Sequence, residues 1–361
     1  MKAKAGRPVE MIVASNHGHQ GPDTMGLWGA KTGVSGIVEA YNQFVVDRTV
    51  EAALAALNGM KGARLFVAKD NSPVLKTFLN DTRPPVVNDA EVTVLRLTTK
   101  RRRPLATLVN WANHPEALGS RNTEITADYL AEFYKTMETM GGGIPVFVNG
   151  AVGGMQSPLG VKLRDPRTAE QAPANSFRFA EIIGQRLAEV AFDAVRQAPE
   201  TKVNRIEYRE KRVKVPVANA NFKLATAAGL FKGRKPFAAD GTMETVVGYL
   251  RLSRGQRPVV EAAAIPGEAY PELSVGGVEK FPEADYPQAA VEPAVKQQMK
   301  APYRMLFGLA NDEIGYLLPK AEWDEKAPYL KGAAKAWYGE VNSVGPEAGP
   351  VITGAFRELV R

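Results

Sequence analysis

The 361-residue chain has 45% hydrophobic and 24% charged side chains, a composition that excludes a disordered or collagen-like protein and is typical of a globular one. It contains no cysteine, which excludes disulfides, thiolate nucleophiles and cysteine-ligated metals, so any metal must be bound by histidine, carboxylate or tyrosine. The formal charge of +7 suggests nucleic-acid binding, but the only dense basic run, residues 100–103, falls in a predicted turn, so we expect no nucleic-acid partner.

The N-terminal third of the chain alternates apolar runs with Gly, Pro and Asn, a pattern that predicts strands and helices in turn. Residues 11–14 form the first predicted strand, and apolar residues at helical spacing predict a helix over 38–57 that Gly59 ends. Further strands are predicted at 63–68, 91–98 and 105–111. The last two are expected to form a hairpin across the basic turn.

The rest of the chain continues this alternation. A helix is predicted over 123–140, with Thr or Asn as its N-cap and Gly142-Gly143 as its end. The further predicted elements are a strand at 144–148, a helix at 176–197, a half-exposed strand at 205–217, a strand at 259–265, a short helix at 293–300 and two short apolar runs within 304–318. Residues 218–256 give no clear pattern. Because no linker or repeat divides the chain, we predict one α/β domain over residues 1–361.

All three histidines of the chain follow predicted strands. His17 and His19 come after the first strand and His114 after the strand at 105–111, where ligand clefts open in α/β sheets. A single histidine is more often structural, but three at strand ends, flanked by Asn, Asp and Glu, predict a metal site. On an extended segment His17 and His19 point to one face, so one can bind the metal while the other donates a hydrogen bond.

Three further loops carry polar residues at strand ends. The Gly-rich turn at 149–157 can present backbone N–H groups to an oxyanion, and Ser157 is a candidate nucleophile, although a tight turn explains the glycines equally well. Glu268 ends an apolar strand, and the segment 311–316 places acids and Tyr316 between apolar runs. Taken alone, each of these two loops is more typical of a turn or a cap.

Five motifs in this order resemble one enzyme family. They are residues 15–23 (Ser-Asn-His-Gly-His-Gln-Gly-Pro-Asp), 110–116 (Asn-Trp-Ala-Asn-His-Pro-Glu), 149–154 (Asn-Gly-Ala-Val-Gly-Gly), 266–268 (Pro-Gly-Glu) and 311–316 (Asn-Asp-Glu-Ile-Gly-Tyr). Together they resemble the catalytic domain of the neutral/alkaline non-lysosomal ceramidases, and residues 338–346 are similar to bacterial members of the broader family. The resemblance implies mixed β-sheets flanked by helices, without the C-terminal immunoglobulin-like domain of the ceramidases.

The resemblance also implies one Zn²⁺ ion. Carried over motif by motif, its ligands are His17, His114, Glu268 and Tyr316. Two nitrogens and two oxygens are a set that zinc accepts.

The remaining family roles fall on residues around this set. His19, close to the substrate carbonyl, and Ser157 are then the catalytic residues, together with Tyr316. Gly153 and Gly154 form an oxyanion or substrate loop. Asn71 stands where the ceramidases carry an arginine beside the substrate.

We therefore expect a zinc-dependent hydrolase that cleaves amide or ester bonds of a small-molecule or lipid-like acyl substrate, through a metal-activated water or a serine. Residues 153–158 lack the Asp of the family motif, so the alignment of Ser157 and the choice of nucleophile stay open. A promiscuous zinc esterase, lactonase or phosphotriesterase, and a non-catalytic metal-binding relative, are the alternatives.

The location of the protein is left open by the sequence. No run approaches the roughly 18 apolar residues of a membrane span, and residues 11–14 are too short for a signal peptide. The compartment is the cytoplasm for the chain as given, or the periplasm or exterior if a leader is removed. Only ten residues precede Met11, so a shortened N-terminus and a homo-oligomer that covers a sheet edge are both compatible with the sequence.

Overall fold

Two β-sheets packed face to face form the centre of the fold, and helices cover their outer faces. This computed structural model describes residues 9–31, 33–231 and 237–361. The mixed α/β architecture with mixed sheets flanked by helices agrees with the prediction from the sequence.

The strands, in chain order, are β1 (Ala63–Asp70), β2 (Val92–Thr99), β3 (Pro104–Trp111), β4 (Ile144–Asn149), β5 (Glu200–Thr201), β6 (Arg205–Pro216), β7 (Thr242–Arg254), β8 (Arg257–Ala264), β9 (Glu268–Ala269), β10 (Tyr303–Phe307) and β11 (Tyr316–Leu317). The α-helices are α1 (Glu39–Asn58), α2 (Pro73–Lys76), α3 (Tyr129–Thr139), α4 (Phe177–Arg196), α5 (Ala220–Ala227), α6 (Pro271–Val275), α7 (Val295–Gln298), α8 (Tyr338–Val341) and α9 (Ala348–Leu359). Short 3₁₀ turns occupy Gly153–Met155, Lys320–Glu322 and Leu330–Gly332.

The first sheet has the strand order β4-β3-β2-β1-β5, with β3 and β4 parallel and the other pairs antiparallel. Alternation along β1 sends Phe66 and Ala68 toward α3 and α4, while Leu65 and Val67 face the second sheet. The predicted hairpin of β2 and β3 is confirmed, and its basic turn is exposed.

The second sheet has the order β10-β8-β7-β6, with β10 and β8 parallel. Helix α9 packs on its outer face, where Ile352 and Phe356 meet Val215 and Val247. A third, two-stranded parallel sheet of β9 and β11 lies beside it. This small sheet matters for the site because it pairs Glu268 with Tyr316.

Three predictions of secondary structure need correction. The segment 11–14 is not a regular strand: only Ala14 forms a bridge, to Ala310, because the side chain of Asn311 accepts the next ladder hydrogen bond from Val13 N. The helix predicted from residue 123 begins at Tyr129, where Asp128 is the N-cap. The helix predicted over 293–300 is confined to Val295–Gln298.

Residues 218–256, where the sequence shows no clear pattern, contain α5 and β7. The other predicted helices and strands are confirmed within a few residues. Helix α1 has no buried residue, so it packs only loosely against the rest of the described chain.

Candidate metal centre

Three loops meet at one end of the two sheets. The loop carrying His17 and His19 is held to the end of β4, because Asn149 Nδ2 donates to the carbonyl of Asn16 at 2.8 Å. The loop carrying His114 follows β3, the neighbour of β4. The backbone N–H of His114 donates to the carbonyl of Gln156 at 3.0 Å, so the Gly-rich loop after β4 fixes it.

The three imidazole rings lie together. Their centroids are 4.7 Å apart for His17 and His19, 4.9 Å for His17 and His114, and 5.4 Å for His19 and His114. One nitrogen from each ring lies within 4.8 Å of the others, so the three histidines could hold a metal ion. The prediction that His17 and His19 lie on an extended segment is wrong. His17 has φ +63°, which is a left-handed backbone conformation.

Glu268 and Tyr316 enter this site from the small sheet. They are register partners in the parallel pair of β9 and β11, so their side chains start side by side. Glu268 Oε2 lies 3.1 Å from His114 Nε2 and 3.4 Å from His17 Nε2. The Tyr316 hydroxyl hydrogen-bonds to Glu268 and also lies 3.4 Å from the sulfur of Met155. The structure therefore brings together all four residues that the resemblance assigns to the metal.

The hydrogen bonds of His114 are compatible with a metal in this site. Its Nδ1 lies 2.8 Å from the carbonyl of Gln156, which only accepts, so Nδ1 carries the proton. The lone pair of Nε2 then faces a carboxylate oxygen of Glu268, and two acceptors at 3.1 Å need a proton or a metal between them. Ligand atoms bound at 2.0–2.1 Å to one tetrahedral ion lie about 3.3 Å apart, which matches the two distances from Glu268. The residues present fit a metal.

The pKa values in the site have consistent causes. Burial lowers the pKa of His114, but the hydrogen bond and negative charge of Glu268 outweigh burial and raise it. Burial raises the pKa of Glu268, but its electrostatic interaction with His17 and the hydrogen bond of His114 hold the pKa well below its usual range. Burial, reinforced by His17 and His114, lowers the pKa of His19 to about 3, so His19 is neutral at physiological pH. Burial and the charge of Glu268 raise the pKa of Tyr316, which keeps its proton.

Known proteins were compared with the chain in three ways. The sequence matches no protein-family model, and a search of curated proteins finds no match. The fold is similar to the crystal structure of neutral ceramidase from Pseudomonas aeruginosa, with a TM-score of 0.71 and 16% identity over 99% of this chain and 62% of that one. The chain has the fold of the neutral ceramidases. A structure described as ceramidase complexed with C2 gives a TM-score of 0.68 and 14% identity over 97% of this chain and 60% of that one.

This chain therefore spans about three fifths of the length of either ceramidase structure. The resemblance of the five motifs and the likeness of the fold agree. At these identities the likeness concerns the ceramidase fold, and the activity is argued below from the site.

The Gly-rich loop beside the three histidines is a close-packed turn. A Cβ on Gly153 would lie 2.6 Å from the ring of Tyr270, and Gly154, at φ +64°, lies against the carboxylate of Asp81. Ser157 is 2% exposed, and its Oγ accepts a hydrogen bond from Leu159 N at 3.1 Å. In the described part of the chain no hydrogen bond joins Ser157 to a histidine.

Asn71 lies apart from these residues. It is an exposed residue directly after β1, and the described residues show no contact between it and the histidines. The Gly-rich loop contributes to the site mainly through the carbonyl of Gln156, which accepts a hydrogen bond from His114 Nδ1.

Four residues around the site were not singled out from the sequence. Glu116 Oε2 lies 3.3 Å from His19 Nδ1. The ring of Tyr338 stands 5.8 Å from that of Tyr316, and the charges of Glu268 and Glu116 act on its hydroxyl. Asn149 ties two loops together, and Met155, at φ +63°, places its sulfur beside Tyr316. The acid directly after the His-Pro pair was the one available sequence signal, for Glu116.

A cluster of buried acids lies behind Tyr316. Arg83, 3% exposed, donates to Glu340 at 2.5 Å, lies 3.7 Å from Glu322, and stacks over the ring of Tyr270. Burial raises the pKa of Glu322 to about 8. Burial, with the nearby charge of Glu322, raises the pKa of Glu272 to about 9. The cluster is thus held together by one arginine and by protons on its acids.

Because these acids are protonated in the folded protein, we expect the free energy of unfolding to fall as pH rises. An acid whose pKa is raised in the folded state is protonated there while the unfolded chain, with a Glu pKa of about 4.3, has ionised. Unfolding is therefore favoured progressively as pH rises from about 4.3 through the folded pKa of about 9 for Glu272. Glu272→Gln removes this term, and we expect its melting temperature to exceed that of the wild type by roughly 3–8 °C at pH 8.5 but not at pH 4.5.

Thermal unfolding followed by circular dichroism at both pH values measures this difference. The matched control is Glu138→Gln on the exposed face of α3, which is expected to change neither value. An equal melting temperature of Glu272→Gln and wild type at pH 8.5 would show that Glu272 is not a buried protonated acid.

Proposed function

We propose that the protein is a zinc-dependent amide hydrolase of the ceramidase type. The observation that carries the proposal is the single carboxylate oxygen of Glu268 between the Nε2 atoms of His17 and His114, at 3.4 and 3.1 Å. A metal between these three atoms would satisfy all of them, and the arrangement occurs in the fold of proteins described as neutral ceramidase and as ceramidase complexed with C2.

Zinc is the metal that the donor set favours. The chain offers neutral imidazole, carboxylate and phenol but no thiolate, and zinc accepts mixed nitrogen and oxygen ligands without a strong geometric preference. In the proposal His17, His114 and Glu268 hold the ion, with Tyr316 as the adjacent fourth ligand. Bound zinc would polarise a carbonyl and lower the pKa of a water to about 7.

Tyr316 and His19 would orient the substrate and transfer protons during the reaction. In the proposal the Tyr316 hydroxyl, which lies beside Glu268, would serve partly as a ligand and partly as a hydrogen-bond donor to the oxygen of a substrate carbonyl. His19 is neutral, and its side chain is 37% exposed, on the open side of the site. A substrate carbonyl that enters the site from that side meets both residues.

The attacking group in this proposal is water. Ser157 is nearly fully buried and its hydroxyl is engaged with the backbone of Leu159. Its own backbone exchanges two hydrogen bonds with Asn80, at 2.8 and 3.2 Å, which holds it in place. A nucleophilic serine needs a base within hydrogen-bond reach, and the described residues give it none.

An N-acyl substrate with a lipid-like chain is the substrate class that the surroundings support. Around Tyr316 the site is bordered by apolar and aromatic side chains, Met155, Tyr270 and Tyr338. In the described residues no helix has the length and apolar character needed to cross a membrane.

Turnover of a substrate panel tests the proposal. We expect the purified zinc-loaded protein to hydrolyse N-acyl amides in preference to esters, lactones and phosphotriesters of equal chain length. Ser157→Ala should keep kcat within about threefold, because water is the nucleophile, whereas loss of an activated serine costs several orders of magnitude. Zinc binding without turnover of any substrate would contradict the proposal and favour a non-catalytic metal-binding protein.

A further inference from the structure

We propose that the outward face of helix α1 is a dimer interface, on which the same helix of a second copy of this chain packs in the antiparallel direction. Three properties of α1 carry the proposal: its exposure, the order of large and small side chains along it, and its charges. The interface uses none of the residues of the metal centre, so it can be tested without bound zinc or turnover.

Helix α1 carries large apolar side chains that nothing in the described chain covers. None of its 20 residues is buried, and Phe44 and Val46 are 56% and 54% exposed. Because Phe44, Val45 and Val46 are consecutive, they point to three sides of the helix. On the loop before the helix, Trp28 is 68% exposed, so the apolar surface continues beyond α1. Exposed apolar surface of this extent marks an interaction site, and a helix that is apolar on every side is normally buried.

Large and small side chains are separated along the outward face. In the C-terminal half of α1, Leu57 is partly buried and turns toward the rest of the chain. The exposed residues of that half are small: Ala52, Ala55 and Ala56. Phe44 and Val45 stand eleven residues before Ala55 and Ala56, which is roughly three whole turns, so they lie on the same face. The face is therefore bulky at its N-terminal end and flat at its C-terminal end.

An antiparallel pair of α1 helices matches these two halves. With a two-fold axis near Thr49, Phe44 and Val45 of one copy lie at the height of residues 52–56 of the other. The large side chains then fill the space that the alanines leave open, as side chains of packed helices do. The face is complementary to itself, which a two-fold symmetric interface requires.

The charges of α1 fit the same arrangement. Arg48 lies next to the proposed axis and pairs with Glu51 of its own helix at 2.6 Å. In the antiparallel pair it also reaches the height of Glu51 in the second copy, so two arginines and two glutamates alternate around the axis. A helix that lies on a lipid surface has a basic polar face, whereas α1 has one base and three acids, Glu39, Asp47 and Glu51. The surface therefore favours a second copy over a lipid surface.

Charge reversal at the two members of this ion pair tests the interface. We expect the wild-type protein to be a dimer in sedimentation equilibrium at about 100 µM and to dissociate on dilution. Arg48→Glu and Glu51→Arg each place like charges around the axis, so each variant alone should dimerise at least about 10-fold more weakly. An equimolar mixture of the two variants should recover the dimer, because each chain then faces the opposite charge. Both side chains are exposed, and circular dichroism checks that the variants keep the wild-type fold.

A pair of the same kind on another helix gives the matched control. Arg186→Glu breaks the ion pair with Glu189, at 2.9 Å on the surface of α4, and is expected to leave dimerisation unchanged. A wild-type monomer at about 100 µM overturns the proposal, and binding of that monomer to phosphatidylcholine vesicles would assign the surface to lipid instead. A dimer that Arg48→Glu does not weaken, or a mixture of the two variants that stays monomeric, also rejects α1 as the interface.

Discussion

Removal of the metal is expected to lower the turnover rate by at least about 10³-fold. A Lewis acid supplies several kcal/mol of transition-state stabilisation, and each 1.36 kcal/mol corresponds to a factor of ten in rate. Exhaustive chelation of the wild-type protein should therefore leave residual activity only, and added Zn²⁺ should restore it. Elemental analysis before and after chelation, with turnover of an N-acyl amide, measures both quantities on the same sample.

Substitution of a proposed metal ligand should also lower metal binding and turnover. His114 is fully buried, so His114→Ala also leaves a cavity, and its loss of activity could come from a damaged fold. Glu268→Gln avoids this, because the amide has the size of the carboxylate but lacks its charge. We expect Glu268→Gln to fold with a native circular dichroism spectrum and to bind zinc at least 10-fold more weakly. Full activity of chelated wild-type protein would refute the metal-dependent mechanism.

Most of the fold followed from local patterns. Period-two alternation in β6 and the long apolar stripe of α4 predict their elements within one or two residues. Helix α3 was predicted six residues too early because Thr and Asn at 122–126 are good caps in isolation. The actual cap, Asp128, also accepts hydrogen bonds from Ala117 N and Leu118 N, a tertiary contact that no local pattern contains.

The site was predictable where chemistry and position coincided. Histidines are scarce in this chain, and strand ends are where clefts form, so His17 and His114 could be proposed from the sequence. Pairing of Glu268 with Tyr316 depends on a two-residue parallel sheet, which is too short to leave a periodic signal. The contact of Glu116 with His19 depends on how two loops pack against each other, and no local sequence pattern encodes that packing.

Behind the metal centre, the largest effect on stability is expected from Arg83. Its guanidinium is the one cation among the described residues of the cluster, and it contacts Glu340 and Glu322, both nearly without solvent exposure. Burial opposes the charge of Arg83, but the charge of Glu340 outweighs it and raises the arginine pKa further. The arginine is therefore always charged, and the carboxylate of Glu340 depends on it for compensation.

Arg83→Met should consequently destabilise the protein by about 3–5 kcal/mol at pH 7, the cost of leaving a buried charge without its partner. Urea unfolding measures it, with Arg186→Met as the matched control: Arg186 pairs with Glu189 at 2.9 Å on the surface, where such a pair contributes about 1 kcal/mol or less. Glu340→Gln added to Arg83→Met should recover part of the loss, because it removes the uncompensated carboxylate. The loss should also shrink at acidic pH, where Glu340 is protonated as well. Equal effects of Arg83→Met and Arg186→Met would show that the arginine does not hold this cluster together.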